Sequence, residues 1–306
     1  MTHAETDRLR DRPGGDDARG WRFAFDAMAC TFGLQIVHAR QDYARQAAWA
    51  ACAEIERLEQ LLSRFVPSSD ISHLNSAQPG ELVRVSTETL ECLQLATQVH
   101  TDTNGAFDIA FRSRRTLDPD VPPLVLDPAA HAIGVQVAGL MLDLGALGKG
   151  YAVDRAVAVL RDWEIHAALV DSGQSTVHAL GHPRDAEAWR VGLRRPGQQD
   201  TLLGTIELRD QALGGSGQLL HGPHIIDPRT GNPVGTSIAA WAVASTAALA
   251  DALSTAFMVL SPAEVQAFCA QHPDISAILW SPAAQDGELL CFSTQGGLVQ
   301  RGTGVN

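Results

Sequence analysis

The sequence predicts an α+β fold in which mixed, largely antiparallel sheets pack against helices. Long stretches such as residues 42–62 and 246–260 have the apolar periodicity or the alanine content of helices. Short apolar or alternating runs stand in groups with short gaps between them, which is typical of antiparallel strands. Runs of strands combined with long helices are the pattern of α+β proteins. At 306 residues the chain can bury a large core, and we predict a single domain over residues 21–306.

Two strands and a long helix are predicted to open this domain. Residues 21–25 and 32–38 are apolar or alternate in polarity, and residues 28–31 between them have the length of a turn. Residues 42–62 carry apolar side chains at helical spacing and should form a helix. Residues 1–20 are polar and rich in Arg, Asp and Gly, so we predict a disordered tail there.

The next part of the chain alternates between regular elements and polar connections. Residues 62–75 are rich in hydroxyl groups and are predicted to form a loop. Ser86 is placed to be the N-cap of a helix that ends near Thr101. Residues 112–128 are rich in Arg, Asp and Pro and should form an exposed excursion. The other predicted elements are strands at 81–85 and within 132–144, and a helix at 151–163.

The C-terminal half is predicted to add most of the sheet and two helices. One helix spans residues 246–260, and another spans 262–272 with Ser261 as its N-cap. Residues 214–217 and 221–233 are rich in glycine or polar residues and are predicted to be loops. The predicted strands are 167–170, 176–180, 189–193, 202–208, 237–244, 276–280 and 289–293.

Composition and charge argue against several classes of function. The net charge of −12 has the wrong sign for a general nucleic-acid binder or for a ligand of anionic membranes. The sequence has no apolar run of membrane-spanning length, and residues 1–20 lack the apolar segment of a secretory signal. The five cysteines are far apart and include no Cys-x-x-Cys pair, which is typical of reduced thiols. We therefore expect a cytoplasmic protein.

Lys149 is the only lysine in the chain, and a glycine stands on each side of it. Lysine carries a compact charge that suits a phosphate or a carboxylate, and glycines leave room for a ligand to approach. The helix predicted just after Lys149 would add free backbone N–H groups, although compositional bias alone could also leave one lysine here. A Walker A loop is excluded, because Asp143 occupies the position of its first glycine and Gly150 that of its Ser or Thr.

Two pairs of residues have spacings that metal ligands can use. Asp251 and Thr255 are four residues apart in a predicted helix, so their oxygens share a face and suit Mg²⁺. On spacing alone, a solvated Asp251 and a Thr255 hydroxyl bonded to its own helix are the more common arrangement. His221 and His224 are three apart, but Gly222-Pro223 prevents the helix that presents zinc-binding pairs. His224 is better explained as an acid–base group, an orienting contact or a histidine that binds backbone carbonyls in a turn.

Six stretches of the chain stand in a characteristic order: Met28-Ala-Cys-Thr31, Leu62-Ser-Arg-Phe65 with Ser69-Asp-Ile-Ser-His-Leu-Asn75, Gly105-Ala-Phe-Asp108, Asp143-Leu-Gly-Ala-Leu-Gly-Lys-Gly-Tyr-Ala-Val-Asp154, His224-Ile-Ile-Asp-Pro-Arg-Thr-Gly231 and Ala250-Asp-Ala-Leu-Ser-Thr-Ala256. Together they resemble the ApbE family of FAD:protein FMN transferases, and the resemblance covers about residues 28–260. Its most specific parts are Gly-Lys-Gly-Tyr-Ala-Val-Asp and His-Ile-Ile-Asp-Pro-Arg-Thr-Gly. The family's fold, related to the T-fold, is of the mixed antiparallel type predicted above.

The resemblance implies an activity and a set of site residues. Family members bind FAD, cleave its pyrophosphate with Mg²⁺ and pass FMN to a Ser or Thr hydroxyl of a target flavoprotein, releasing AMP. By position, Asp251, Thr255 and the backbone carbonyl of Ala146 would hold Mg²⁺, with Asp251 also catalytic, and His224 would help to activate the acceptor hydroxyl. The FAD site would be lined by Met28, Phe65, Ala106, Phe107, Asp108, Lys149, Asp154 and Ile225. We expect a monomer or a homodimer.

Several features depart from the family pattern. Gln174 follows a single glycine where the family usually has Gly-Gly and an acidic or amide residue, and Gln218 stands in the family's Ser-Gly-Asp-like stretch. The segment after Asp108 is short, and the lipoprotein signal common in bacterial members is not seen. These departures concern the acceptor protein and the location more than FAD binding. Two alternatives stay open, a FAD pyrophosphatase without a protein acceptor and a non-catalytic FAD-binding protein.

Overall fold

The computed structural model describes residues 8–16, 19–113, 121–173, 175–217, 226–234, 239–281, 289–293 and 299–301. Its helices are α1 (Gln41–Leu62), α2 (Asp70–Ser76), α3 (Thr87–Asp102), α4 (Gly148–Asp162), α5 (Ala247–Val259) and α6 (Pro262–Gln271). Its strands are β1 (Arg10–Asp16), β2 (Gly20–Ala27), β3 (Cys30–Ile36), β4 (Leu82–Arg84), β5 (Leu124–Asp127), β6 (Ala132–Val135), β7 (Ala168–Asp171), β8 (Thr176–Leu180), β9 (Trp189–Arg195), β10 (Gln198–Leu208), β11 (Gln211–Gly217), β12 (Ala239–Ala244), β13 (Ser276–Trp280), β14 (Leu289–Phe292) and β15 (Gln300–Arg301). None of these helices combines the length and the hydropathy needed to cross a bilayer.

A nine-stranded sheet is the centre of the fold, with strand order β1-β2-β3-β7-β8-β11-β12-β13-β14. Its neighbouring strands are antiparallel throughout, which confirms the predicted α+β class with largely antiparallel sheets. Two three-stranded sheets, β15-β10-β9 and β4-β6-β5, accompany it. Helices α3 and α6 begin at the predicted N-caps Ser86 and Ser261, whose side chains accept backbone N–H groups of the first turn.

The large sheet is buried on both faces around β12. Ala240, Ala242 and Ala244 face the main hydrophobic cluster with the helices, whereas Trp241 and Val243 belong to a second cluster with β9 and β10. Since successive side chains of a strand point to opposite faces, this alternation divides the two clusters between the two sides of the sheet. Burial on both faces also explains why β12 is a continuous apolar run rather than an alternating one.

Helix α5 packs unusually close to its neighbours through two glycines. A Cβ atom on Gly150 of α4 would lie 2.3 Å from the carbonyl oxygen of Ala247. A Cβ on Gly214 of β11 would lie 2.2 Å from the carbonyl oxygen of Ala250. Because no side chain fits at either position, the backbone of α5 contacts both α4 and β11, and the position of Asp251 on α5 is fixed from two sides.

Residues 214–217 were predicted to be a loop, and this prediction is wrong. They belong to β11, which pairs with β8 on one side and β12 on the other. The glycine there provides close packing against α5 rather than a turn, because Gly214 is extended strand backbone facing Ala250.

Three other local predictions also fail. Residues 10–16, assigned to a disordered tail, form β1, whose polar backbone is satisfied by pairing with β2. Residues 70–75, assigned to a loop, belong to α2 (Asp70–Ser76), whose N-cap Ser69 accepts the Ser72 N–H at 3.0 Å. Residues 124–127, inside the predicted excursion, form β5, which pairs with β6. The single domain over residues 21–306 stays a prediction.

The contact between Gly150 and α5 predicts that alanine substitutions at Gly150 and Gly148, two glycines of the same helical turn, differ clearly in their effect on stability. Gly150→Ala should destabilise the protein by about 1–3 kcal/mol, because the new methyl group overlaps the Ala247 carbonyl. Gly148→Ala is the matched control: its Cβ would lie 3.6 Å from the Leu144 Cβ, an ordinary contact, so it should be neutral or slightly stabilising. Urea unfolding measures both. Equal effects of the two substitutions would contradict this account of the packing.

Candidate active site

A cavity of about 1140 Å³ brings together segments that are far apart in the sequence. Its walls come from the β2–β3 turn, the segment after α3, the loop before α4, helix α5, strands β11 and β12, and the β9–β10 hairpin. Eight of the predicted site residues line it: Met28, Ala106, Phe107, Asp108, Ala146, Lys149, Asp251 and Thr255. A cavity of this size can enclose a dinucleotide-sized ligand.

Asp251 is a buried carboxyl group at the wall of this cavity. Only 3% of the residue is exposed, and its Oδ2 accepts the backbone N–H of Gly150 at 3.2 Å. Burial raises the pKa of Asp251, and the nearby positive charge of Lys149 acts in the opposite direction. A buried carboxylate costs free energy unless a cation or several hydrogen-bond donors compensate its charge. A cation bound beside Asp251 would therefore stabilise its ionised form.

Thr255 and Ala146 supply further oxygens on the same cavity. The Thr255 hydroxyl lies 3.1 Å from the Ser216 hydroxyl and 3.4 Å from the carbonyl oxygen of Asp251, one helical turn earlier. No donor within the described part of the chain binds the Ala146 carbonyl, because the Gly150 N–H that would reach it in a longer helix goes to Asp251 instead. A carboxylate, a hydroxyl and a carbonyl are the hard oxygen donors that Mg²⁺ prefers.

The donor set also fits Mg²⁺ better than a softer metal. Among the residues that the structure describes, no group of three or more His, Cys, Asp and Glu side chains is arranged to hold a metal. A cation at this place would therefore be bound by mixed oxygens and would keep open positions for water or phosphate.

Lys149 lies in the first turn of α4, half-buried, at the wall of the cavity. Its ammonium donates a hydrogen bond to the carbonyl of Gly145 in the preceding loop. A cation in the first turn opposes the helix dipole, so Lys149 is not placed there to stabilise α4. Its charge is instead available to the cavity and to Asp251.

Asp154 does not line the cavity, although the resemblance placed it in the FAD site. Its Oδ1 accepts the Ala247 N–H at 2.7 Å, and its Oδ2 accepts the Ala248 N–H at 2.8 Å. The Nδ1 atom of buried His178 lies 2.7 Å from the same Oδ1. Asp154 therefore satisfies the free N–H groups at the N-terminus of α5. Its influence on the site passes through the position of that helix.

Phe65 is not part of the cavity wall either. Its side chain lies on the surface with 77% of the residue exposed, and the guanidinium carbon of Arg64 is 4.0 Å from the ring centroid. An exposed ring beside a held arginine is free to stack on a planar group. His224 and Ile225 lie outside the described residues, as do Gln174 and Gln218.

The cavity also includes residues for which no role was predicted from the sequence. Asp143, Asp171 and Cys30 line it, as do Arg194 and Arg195 of the β9–β10 hairpin. Burial raises the pKa of Asp171, and it raises the pKa of the Cys30 thiol to about 11, so that thiol is not a ready nucleophile. The available signal was Gly33, the partner of Asp171 across β3 and β7, where a Cβ would lie 2.2 Å from the carboxylate. That signal needs the strand register, which the sequence did not supply.

Comparisons with known proteins agree with the motifs. The ApbE family model matches residues 28–279 of this chain. A FAD:protein FMN transferase of Klebsiella pneumoniae (strain 342) is 28% identical over 256 residues, covering 73% of this chain and 78% of that protein. The flavin transferase ApbE from Vibrio cholerae has a similar fold, with a TM-score of 0.75 and 22% identity over 89% of this chain and 96% of that one. The Pseudomonas stutzeri flavinyl transferase ApbE, in its apo form, gives a TM-score of 0.75 and 22% identity over 90% and 96% of the two chains. With most of its length matched by the family model, this chain belongs to the ApbE family.

Proposed function

We propose that this chain transfers FMN from FAD to a Ser or Thr hydroxyl of a partner flavoprotein, with Mg²⁺, and releases AMP. Family membership and the activity in the names of its relatives support the transfer of FMN. The observation that carries the proposal is the meeting of Asp251 and Lys149 at one cavity, joined through the Gly150 N–H. A carboxylate for a cation and a cation for a phosphate are the two charges that phosphoryl transfer from a diphosphate requires.

Lys149 would bind the diphosphate of FAD. The chain has a net charge of −12, so its overall field repels an anion and a local positive charge is needed. Lys149 provides that charge at the start of α4, where the helix dipole also favours an anion. Ala106 and Phe107, both buried, and the half-buried Met28 and Asp108 would form the walls on either side of the nucleotide.

Asp251, Thr255 and the Ala146 carbonyl would hold Mg²⁺. When bound, Mg²⁺ supplies positive charge to the phosphate oxygens as the pyrophosphate is cleaved. Asp251 contributes a full negative charge, and Thr255 and Ala146 contribute neutral oxygens from two different elements. The close packing of α5 on Gly150 keeps these elements at a constant separation.

His224 would accept the proton of the acceptor hydroxyl, a contribution of about 10²–10⁴-fold for a positioned general base. This role comes from its place in the motif His224-Ile-Ile-Asp-Pro-Arg-Thr-Gly231, as does the place of Ile225 at the FAD. The Ser or Thr acceptor motif, the cytoplasmic location and the monomeric or homodimeric state likewise stay predictions.

The activity itself is tested with FAD, Mg²⁺ and a flavoprotein that carries an Asp-x-x-Ser/Thr-like acceptor segment. We expect covalent flavin on the partner, seen as in-gel fluorescence, with AMP released in equal amount. Asp251→Asn should lower the rate by at least about 100-fold, because the largest ligand charge for Mg²⁺ is removed. Asp162→Asn, the same change at an exposed position of α4, should leave the rate unchanged. AMP and free FMN without a labelled partner would identify a pyrophosphatase instead, and FAD left intact would identify a binding protein.

Asp251 should also limit stability in a way that depends on pH. Its folded-state pKa is raised above the ordinary 3.8, so ionised Asp251 destabilises the folded protein at neutral pH. Asp251→Asn should therefore raise the melting temperature at pH 7 without Mg²⁺, and the gain should vanish as pH falls toward 3.8. Added Mg²⁺ should stabilise the wild type and not the variant, as calorimetry can measure. A wild type that Mg²⁺ does not stabilise would contradict the metal site.

The role of Lys149 in FAD binding is tested by removing its charge and by replacing it with the broader charge of arginine. Lys149→Ala should raise the KM for FAD by about tenfold, because a half-buried charge that faces the diphosphate is lost. Lys149→Arg should restore part of this loss but not all, since a planar guanidinium does not fit where an ammonium binds the Gly145 carbonyl. Steady-state kinetics with FAD measures both variants. Full activity of Lys149→Arg would mean that only the charge matters at this position.

A further inference from the structure

We propose that Asp143 is a positioning residue for this reaction and that its two carboxylate oxygens have separate tasks. One oxygen fixes the loop that carries Ala146, and the other fixes two arginines beside the cavity. Asp143 itself lines the cavity and is half-buried. The inference rests on the proposed function, because it concerns how the metal and nucleotide parts of that site are held.

The first oxygen, Oδ1, accepts the backbone N–H of Gly145 at 2.9 Å. This bond closes a local turn, and a second bond from Leu147 N–H to the Leu144 carbonyl, at 3.0 Å, closes the next one. Ala146 lies inside the second of these turns, directly before the N-cap residue of α4. The Gly145 carbonyl in the same loop accepts the Lys149 ammonium. The Oδ1 bond therefore holds in place both the proposed carbonyl ligand and the residue that orients Lys149.

The second oxygen, Oδ2, pairs with arginines from two other segments. The Nε atom of Arg64, in the connection between α1 and α2, is 3.1 Å away, and the Nε atom of Arg112 is 3.4 Å away. The backbone N–H of Asp143 also donates to the Ile109 carbonyl at 2.9 Å, in the segment that carries Arg112. One carboxylate thus joins three segments that are distant in the sequence. The Arg64 pair is partly shielded from water, with 27% of the Arg64 side chain and 20% of the Asp143 side chain exposed, so it is stronger than a pair on an open surface. The Arg112 side chain is 45% exposed, so its pair with Asp143 is weaker.

Arg64 passes this constraint to Phe65. Its guanidinium carbon lies 4.0 Å from the Phe65 ring centroid, a cation–π distance. A ring that is 77% exposed has little other packing to define its direction. When Asp143 holds the guanidinium, the ring is held as well, which would limit the orientations in which it can stack on a planar part of FAD.

Two substitutions at the same position separate the two tasks. Asp143→Asn keeps an oxygen for the Gly145 N–H but removes the charge that pairs with the arginines. It should raise the dissociation constant for FAD by about tenfold while the Mg²⁺ activation constant stays within about twofold. Asp143→Ala removes both contacts and should raise both the FAD dissociation constant and the Mg²⁺ activation constant. The readouts are FAD binding by flavin fluorescence without Mg²⁺ and the Mg²⁺ dependence of AMP release, together with the melting temperature of each variant.

A double-mutant cycle with Arg64 provides the control. Arg64→Ala should reproduce most of the FAD effect of Asp143→Asn, and the double variant should be no worse than Asp143→Asn alone, because Asp143→Asn already removes the Arg64 pair together with the Arg112 pair. The inference would be overturned if the effects of Asp143→Asn and Arg64→Ala on the FAD dissociation constant added fully in the double variant. It would also be overturned if Asp143→Asn changed the FAD dissociation constant and the Mg²⁺ activation constant as much as Asp143→Ala does. The cycle does not need Asp143→Ala, so it decides the question even where that variant is unfolded. A wild type that binds FAD but does not cleave it when Mg²⁺ and the acceptor flavoprotein are present would overturn the proposed function instead.

Discussion

The contact of the α5 backbone with Gly150 and Gly214 determines the geometry of the whole site. Each glycine lies so close to a carbonyl of α5 that a Cβ would be within 2.3 Å of it. Asp251 follows these carbonyls on α5 and receives the N–H of Gly150, a residue 101 positions earlier in the chain. The proposed metal part and the proposed phosphate part of the site therefore meet where the backbones of α4 and α5 are in contact, and backbone atoms have less freedom than side chains. Their relative position does not depend on a flexible contact.

Helix α4 directs its two charged residues to different neighbours. Lys149 and Asp154 are five residues apart, which places them about 140° apart around a helix. Lys149 faces the cavity, and Asp154 faces the N-terminus of α5, where it accepts the N–H groups of Ala247 and Ala248. The motif that contains both residues thus combines a residue that faces the cavity with a residue that places the next helix. The motif alone suggests that both residues bind the ligand.

Local chemistry made the helices predictable but not every strand. Ser86 and Ser261 precede stretches with helical patterns, and their caps are formed as expected, because capping depends on residues three positions apart. Strand β11 was not predictable, because its glycines resemble a turn until β8, β12 and α5 are seen around them. Strand β1 was missed for a similar reason, since its polar residues form a regular strand by pairing with β2. Those elements are specified by their neighbours, and the neighbours are distant in sequence.

The same distinction holds for the carboxylates near the site. Spacing alone favoured a solvated Asp251, whereas tertiary packing leaves 3% of it exposed. Asp143 is balanced by Arg64 and Arg112, and Asp154 by the N-terminus of α5 and His178, so neither adds an uncompensated negative charge to the cavity. Asp251 is more deeply buried than either of them, and burial raises its pKa although Lys149 is near. In the proposed site, one cation bound between the buried carboxylate and the phosphates of FAD would lower the free energy of both. Burial raises the pKa of Asp171 as well, so the choice of Asp251 as the proposed metal ligand also rests on the Thr255 hydroxyl one helical turn away.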